Sequence, residues 1–387
     1  MPIAVYALAL MAFAIGTTEF IVSGILPAIS GDLSVSIPTA GLLVTGYAAG
    51  VAVGGPILAL LTARFPAKPV LLVLGIVFAL GQVLCAIAPD YALLMGARLV
   101  SACGHGVFFG IGSVTVSRLV PENRRGSALS LFVGGITVAN ILGVPAGTAI
   151  GNTFGWRVSF VCIAAMALLA VLAIALALPG IKGQAEREAP LHLQAAQLRH
   201  PAVWTSYLII AVVMVGSVSF GTFQVPLLIE VTRIEPGYVP LFLLLGGVGS
   251  VVGIFIGGRL ADWRPLESLL GILLAQVACY FALMVSAQHP IAMGISLFAS
   301  AAATLAFSTP TQVRIFTAAR AAPNLASTFV STAYNIGIAA GALLGAVLLN
   351  TGTSYATIPL IGVASSAIAA LITAASWLSE RRTLAIA

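Results

Sequence analysis

Residues 16–20 read Gly-Thr-Thr-Glu-Phe and lie inside the first long apolar run of the chain, which extends from Ile3 to Leu26. Glu19 therefore places a carboxylate where hydrocarbon is expected. An ionised side chain near the bilayer centre costs roughly 2.5–3.5 kcal/mol even on the mild insertion scale, so an acid at this depth indicates a function. We expect Glu19 to take up and release a proton, and the remaining helices to couple that step to the movement of a small molecule.

The composition indicates a polytopic membrane protein. Of the 387 residues, 60% are hydrophobic and 7% are charged, whereas soluble domains carry about 25% charged residues. The basic residues are scattered among short loops, so the net charge of +6 does not indicate nucleic-acid binding. The cysteines fall inside apolar runs and are interpreted as small buried side chains without a disulfide framework: Cys85, Cys103, Cys162 and Cys279. No basic segment precedes the first run, which argues against a cleaved signal peptide.

Twelve apolar runs are each long enough to cross a bilayer, which takes roughly 20 residues. We number them spans 1 to 12, with predicted limits 3–26, 38–62, 69–88, 91–117, 126–150, 156–178, 201–225, 237–260, 266–286, 290–316, 323–349 and 354–378. A polar linker, residues 179–200, separates an N-terminal six-helix bundle, residues 1–178, from a C-terminal one, residues 201–387. The predicted fold class is an all-α membrane protein with twelve transmembrane helices in two six-helix bundles.

The two halves resemble each other weakly. Span 5 contains Ala139-Asn140 before a glycine-rich run, and span 11 contains Tyr334-Asn335 before another. Internal duplication of a six-helix unit is typical of transporters, whose substrate site lies near the membrane midplane between the repeats.

The basic residues predict the orientation. An even number of spans puts both termini on one side of the membrane. Of the 17 Lys and Arg residues, only Arg157 and Arg233 fall in the loops of the opposite side, and Arg98 lies within a span. The others fall in the first set of loops, the linker and the tail: Arg64, Lys68, Arg118, Arg124, Arg125, Lys182, Arg187, Arg199, Arg259, Arg264, Arg314, Arg320, Arg381 and Arg382. The positive-inside rule then predicts cytoplasmic termini and a cytoplasmic linker.

Arg98 in span 4 is the expected neighbour of Glu19. Each residue lies about seven positions from the predicted outer end of its span, which at 1.5 Å per residue is roughly 10 Å below the outer surface. Equal depth permits an ion pair or a shared water network. Burial favours the neutral carboxyl group and a nearby guanidinium favours the ionised one, a balance that suits proton coupling. A permanent structural hydrogen bond is the alternative for each residue.

His105 is a candidate proton relay. It follows Arg98 by seven residues on the same helical face, and imidazole titrates near neutral pH. A helix-packing histidine bonded to a neighbouring carbonyl group explains its position equally well.

Span 5 is a candidate hinge because it carries Gly143, Pro145 and Gly147. Small residues let helix backbones approach closely, and a proline can kink a helix in a packed bundle without great loss. Simple tight packing explains the same pattern. Other polar and aromatic side chains are candidates to line a substrate cavity, with ordinary helix packing as the alternative for each: Tyr47, Phe108, Asn140, Gln224, Gln312 and Asn335.

The sequence lacks motifs of the enzymes that would compete with a transporter. No G-x-x-x-x-G-K-[ST] occurs, and the only lysines are Lys68 and Lys182, so a P-loop ATPase is excluded. Neither H-E-x-x-H nor G-x-S-x-G occurs, which argues against an intramembrane hydrolase. We therefore expect no enzymatic activity, no cofactor and no metal, with a proton gradient as the energy source.

The chain resembles the major facilitator superfamily, specifically its bacterial 12-helix drug:proton antiporter branch of the arabinose-efflux-permease and chloramphenicol-exporter type. The resemblance covers essentially the whole chain, and residues 16–27, from Gly-Thr-Thr-Glu-Phe to Gly-Ile-Leu-Pro, carry its most specific motif. Residues 97–106 resemble the span-4 motif, whose arginine, here Arg98, is linked to proton coupling. Residues 139–147 resemble the span-5 motif of exporters. Arg314 and residues 335–337 fit the C-terminal half.

One departure from the family pattern concerns the loop after span 2. An acid usually precedes the basic residue there, but Ala63 precedes Arg64, while Asp262 keeps the acidic character in the second half. Arg64 and Asp262 are therefore candidate gating residues, with a weaker charge latch expected in the first half.

The resemblance implies alternating access around a cavity walled mainly by spans 1, 4, 7 and 10. Protons would move inward as a small organic molecule, such as an amphenicol drug or a sugar-like metabolite, moves out. It also implies a monomer in the bacterial inner membrane. Because only one strong candidate acid lies within the spans, we expect a neutral or zwitterionic substrate. An uncoupled facilitator or uptake permease and a transporter-like receptor are the alternatives.

Overall fold

The computed structural model describes residues 1–62, 64–180, 200–319 and 323–386. Within these residues, twelve helical spans are long and apolar enough to cross a membrane, as predicted. Most of the predicted linker, residues 181–199, lies outside the described residues, as do Ala63 and Arg320. The basic side chains Lys182, Arg187, Arg199, Arg381 and Arg382 are also outside the description.

The predicted all-α class is confirmed, and eight spans are single uninterrupted helices. These are Ile3–Asp32, Ile37–Thr62, Ala67–Ile87 and Trp156–Ala177 (spans 1, 2, 3 and 6), and Val239–Trp263, Pro265–Val285, Pro323–Asn350 and Pro359–Ile386 (spans 8, 9, 11 and 12). The other four spans are interrupted. Span 10 is Pro290–Ala306 and Ser308–Ala318, with the break at Phe307. Span 4 is Tyr91–Cys103 and His105–Arg118; span 5 is Arg125–Val138, a π-helical turn at Ala139–Gly143 and Val144–Phe154; span 7 is Pro201–Pro226 with a π-helical turn at Leu227–Val231.

The chain divides into two compact units. The first comprises residues 1–185 and 236–244, and the second comprises residues 186–235 and 245–387. Span 1 is the interior helix of the first unit, with 72% of its most apolar window buried, and it packs against spans 2, 5 and 6. Span 7 is the interior helix of the second unit, with 61% buried, and it packs against spans 10, 11 and 12. Each unit is thus built around its first span.

Span 1 is longer than predicted, because the helix continues through Pro27 to Asp32. A proline inside a membrane helix is tolerated when its neighbours pack around the freed backbone carbonyl. The predicted end of span 1 at Leu26 was therefore wrong, and Glu19 lies thirteen residues before the end of its helix and not seven. Arg98 lies seven residues after the start of its own helix at Tyr91, as predicted.

Polar contacts join the ends of the helices within the first unit. Asp32 accepts hydrogen bonds from Trp156 Nε1 (3.1 Å) and from the guanidinium of Arg157. Arg157 Nη2 also donates to the Ala88 carbonyl oxygen (2.9 Å). Spans 1, 3 and 6 are therefore joined at this end by one arginine and one aspartate.

Spans 8 and 10 of the second unit pack backbone against backbone at Gly253. A Cβ atom added there would lie 2.8 Å from both the carbonyl carbon and the Cα of Ala302. Because helix backbones cannot yield as a flexible side chain can, we expect Gly253→Ala to lower the stability of the detergent-solubilised protein by about 1–3 kcal/mol, the usual cost of overpacking. The measurement is the apparent melting temperature.

Gly258→Ala is the matched control, because Gly258 lies in the same helix and nothing occupies the space within 4 Å of its Cβ position. The control should keep or gain stability, since alanine is about 1 kcal/mol more favourable than glycine in a helix interior. Equal melting temperatures for the two variants would contradict the close packing of spans 8 and 10.

Candidate functional site

Arg98 is the centre of a polar network inside the first unit. It is completely buried, at 0% exposure. Its Nη1 donates to the Thr18 carbonyl oxygen (2.7 Å) and to Thr18 Oγ1 (3.1 Å). Thr18 Oγ1 in turn donates to Gln82 Oε1 (2.8 Å). The network thus joins spans 1, 3 and 4 at the level of the Gly-Thr-Thr-Glu-Phe segment.

Glu19 follows Thr18 and is 8% exposed. It interacts electrostatically with Arg98, so spans 1 and 4 do bring the two residues to the same region. Among the described residues, however, the ion pairs do not include one between Glu19 and Arg98. Arg98 is held by the residue before the carboxylate and not by the carboxylate itself. The direct ion pair that equal depth permitted is therefore not formed in this structure.

Tyr47 in span 2 connects Arg98 to His105. The Arg98 guanidinium carbon lies 4.2 Å from the centre of the Tyr47 ring, and this stacking stabilises a buried cation. The Tyr47 hydroxyl group is 3.2 Å from His105 Nδ1. Tyr47 is 1% exposed, so the structure places this candidate cavity residue within the buried network.

His105 lies immediately after the break in span 4 at Gly104. The predicted placement of Arg98 and His105 on one continuous helix was wrong. Both residues nevertheless contact Tyr47, and His105 is 7% exposed. Its ring packs against Phe109, with the ring centres 5.2 Å apart, and Phe109 and Phe108 both pack against Phe132. Phe108, another candidate cavity residue, is thus part of a buried aromatic cluster.

Span 5 packs closely against span 1 on either side of Glu19. A Cβ atom added at Gly143 would meet the Thr17 hydroxyl group, and one at Gly147 would meet Ile21. The π-helical turn Ala139–Gly143 ends two residues before Pro145, and π-turns are frequent at functional sites. Asn140 lies in this turn and donates to the Ile136 carbonyl oxygen (3.3 Å). The structure shows the close packing, while the hinge role remains a prediction.

The remaining candidates of the second unit have different surroundings. Asn335 is 4% exposed and donates to the Ser331 carbonyl oxygen (3.0 Å), and its Oδ1 has no partner. Gln224 and Gln312 are partly exposed. The gating candidates Arg64, in the first unit, and Asp262, in the second, are both exposed. The substrate and gating roles of all five remain predictions.

The prediction that Arg314 is a loop cation was wrong. It lies in the helix Ser308–Ala318 and is 8% exposed. It donates to Thr205 Oγ1 (3.0 Å), Ser206 Oγ (3.2 Å) and Ser376 Oγ (2.5 Å), and it forms an ion pair with Glu380 (2.6 Å). The second buried arginine of the described chain therefore has a carboxylate partner, unlike Arg98.

Thr18 and Gln82 were missed by the sequence analysis. Gln82 had a usable signal, because a glutamine in the middle of span 3 must find a hydrogen-bond partner when it is buried. Thr18 had a weaker one, its position beside Glu19. Neither residue could be assigned a partner, since that requires knowing which faces of three helices meet.

Comparison with known proteins gives consistent results. The family model described as Major Facilitator Superfamily matches residues 8–324. The chain is 37% identical over 381 residues to the inner membrane transport protein YdhP of Escherichia coli K12, covering 98% of this chain and 97% of that protein. It is 31% identical over 371 residues to a chloramphenicol resistance protein of Streptomyces lividans, covering 94% and 95%.

A solved structure shares the fold. The crystal structure of a bacterial homologue of the human lysosomal transporter Spinster, in an inward-facing and unoccupied conformation, superimposes with a TM-score of 0.78 and covers 96% of each chain. Its sequence identity to this chain is 17%, so the likeness is one of fold.

Proposed function

The chain belongs to the Major Facilitator Superfamily and is a membrane transporter, and on this premise we propose that it exports a small organic molecule in exchange for protons. The observation that supports this proposal best is the buried carboxylate of Glu19, which lies beside a fully buried cation without pairing with it. A carboxyl group in such surroundings can exist in either protonation state, because burial opposes its charge and Arg98 favours it. An inert structural acid would instead be paired or capped.

In the proposed cycle, Glu19 is protonated when the cavity opens outward, and the substrate is released there. When the cavity opens to the cytoplasm, Glu19 loses the proton and the site accepts a new substrate molecule. Each proton moved inward supplies about 2.3 kcal/mol per 100 mV of membrane potential and about 1.4 kcal/mol per pH unit. One proton therefore supplies enough free energy to concentrate a neutral molecule.

Tyr47 and His105 provide a candidate route for the proton through the first unit. The Tyr47 hydroxyl group can both donate and accept a hydrogen bond, and it is 3.2 Å from His105 Nδ1. His105 lies at the break in span 4, where the helix can bend more easily than in a continuous segment. We propose that these residues assist the transfer and that Glu19 is the coupling group.

We propose a neutral or zwitterionic substrate of the amphenicol class. Glu19 is the only buried acid among the described residues, so a multiply charged cation would lack counter-charges in the described interior. The Streptomyces lividans relative is named for chloramphenicol resistance, which favours that molecule as the first one to test. We further propose a monomer in the bacterial inner membrane with both termini in the cytoplasm.

The test uses purified protein in lipid vesicles with radiolabelled chloramphenicol. An acidic vesicle interior should drive accumulation of the drug above its external concentration, and a protonophore should abolish that accumulation. A growth-inhibition panel with and without expression of the protein identifies a replacement probe if this drug is not recognised.

Two results would contradict proton-coupled export. Accumulation driven by an alkaline interior would indicate uptake by symport. Exchange of a recognised substrate at the same rate with and without a pH gradient would indicate an uncoupled facilitator.

A further inference from the structure

The buried network around Arg98 has too few hydrogen-bond acceptors for its donors. Arg98 Nε and Nη2 have no partner, and neither has Gln82 Nε2. Both residues are 0% exposed. An unsatisfied buried donor typically costs about 1–3 kcal/mol. The free N–H groups of Arg98 and Gln82 should therefore bind any acceptor that comes within hydrogen-bonding distance. Arg98 is bound by Thr18, and the next residue, Glu19, carries a carboxylate that can accept hydrogen bonds.

Thr18, and not Glu19, accepts the hydrogen bonds that Arg98 donates. Both the carbonyl oxygen and the hydroxyl group of Thr18 accept from Arg98 Nη1. Because the hydroxyl hydrogen is donated to Gln82 Oε1, the lone pairs of Thr18 Oγ1 are turned toward the guanidinium. Hydrogen bonds linked in this way strengthen one another.

Close packing of spans 3 and 4 fixes the position of Gln82. A Cβ atom added at the preceding residue, Gly81, would lie 3.2 Å from both Cα and Cβ of Ser101. A larger residue at position 81 would therefore force spans 3 and 4 apart at this point. The Thr18–Gln82 contact therefore has a rigid support.

We propose that Thr18 and Gln82 act as a clamp that positions Arg98 on the backbone of span 1, one residue from Glu19, and thereby sets the pH at which Glu19 exchanges its proton. The inference rests on the proposed function only in assigning the exchanged proton to transport. Weakening the clamp frees Arg98 to pair with an ionised Glu19. A carboxylate introduced at position 82 has the opposite effect, because it holds Arg98 more firmly and opposes ionisation of Glu19.

The other titratable groups near Glu19 come from spans 2, 3 and 4. Tyr47 and Arg98 interact with it electrostatically, Cys85 lies near Arg98, and His105 is bonded to Tyr47. In spans 5 and 6, which also pack on span 1, the charged residues lie at helix ends: Arg125 is paired with Glu122, and Arg157 is paired with Asp32. Arg98 is thus the one permanent charge that faces Glu19 among the described residues.

The clamp can be tested without a transport substrate. Dicyclohexylcarbodiimide modifies protonated carboxyl groups in apolar surroundings, so the fraction of Glu19 modified at each pH, measured by mass spectrometry of the purified protein, reports its protonation. We expect Thr18→Val to move the half-modification pH downward and Gln82→Glu to move it upward, each by about one unit, equivalent to about 1.4 kcal/mol. Thr18→Ser keeps the hydroxyl group and should behave as wild type.

Thr222→Val is the matched control, because Thr222 is a buried threonine of span 7 whose hydroxyl group has no partner. It should leave the half-modification pH unchanged. Unchanged values for both clamp variants, shifts in the same direction, or absence of modification of wild-type Glu19 at every pH would overturn the clamp. Because the assay contains no substrate, failure of chloramphenicol transport alone would count against the proposed function and not against the clamp.

Discussion

Replacing the coupling carboxylate should separate transport from its energy source. In vesicles that contain Glu19→Gln, we expect accumulation of substrate driven by an acidic interior to fall to the level of protein-free vesicles. Exchange of labelled for unlabelled substrate across the membrane should continue. The reason is that glutamine has nearly the same shape as a protonated glutamic acid but cannot release a proton, so one half of the proton cycle is missing. The two assays on the same preparation measure coupling and passage independently.

Glu122→Gln is the matched control for this experiment. Glu122 belongs to the same unit but lies in a short turn, where its side chain is 85% exposed and pairs with Arg125. An exposed pair of this kind contributes little, so the control should accumulate substrate as the wild type does. Full gradient-driven accumulation by Glu19→Gln would remove Glu19 from the mechanism, and loss of both assays would indicate a structural role.

The positions of the twelve spans could be predicted because crossing a bilayer depends on a property of consecutive residues in the sequence. A bilayer demands about 20 apolar residues in a row, and such runs can be counted in a sequence. The ends were less accurate. The apolar run of span 1 ends at Leu26, yet the helix continues through Pro27 to Asp32, because neighbouring helices compensate for the missing hydrogen bond. Information about those neighbours is not present in a local sequence pattern.

The site was predicted in part for the same reason. A lone acid or a lone arginine in an apolar segment is conspicuous, because inserting its charge into a membrane is costly. Glu19 and Arg98 could therefore be found from the sequence. Their actual contacts depend on helix rotation and on side-chain conformation. Equal depth suggested that Arg98 would meet Glu19, but its guanidinium donates to Thr18, the preceding residue, which lies about 100° around the helix. Whether Arg98 contacts residue 18 or residue 19 of span 1 therefore decides whether it forms an ion pair with Glu19 or leaves that carboxylate unpaired.

The two buried arginines of the described chain illustrate different uses of charge. Arg314 donates to three hydroxyl groups and pairs with Glu380, so it joins helices of the second unit. Arg98 leaves two of its three nitrogens without a partner. Such incomplete satisfaction is unfavourable for stability. We infer that the first unit retains it because a fully satisfied guanidinium could not respond to the ionisation of Glu19.

This difference predicts opposite effects of one substitution at the two positions. Arg98→Met replaces the buried cation by an apolar side chain of similar length. A buried charge without a partner is costly, and Arg98 has no carboxylate partner that its removal would leave unpaired, so the apparent melting temperature in detergent should stay the same or rise. Gradient-driven transport should nevertheless be lost, because nothing then favours the ionised form of Glu19. Melting temperature and vesicle accumulation, measured on one preparation, check both halves of the prediction.

Arg314→Met is the comparison, and it should lower the melting temperature. It removes the donor shared by Thr205, Ser206 and Ser376, and it leaves Glu380 without its cation. The expected cost is about 1–3 kcal/mol, limited because the Glu380 side chain is 43% exposed and can be hydrated again. A strongly destabilised Arg98→Met that still accumulates substrate would make Arg98 a structural residue like Arg314. A stable protein without transport would show that the charge of Arg98 serves the proton and not the fold.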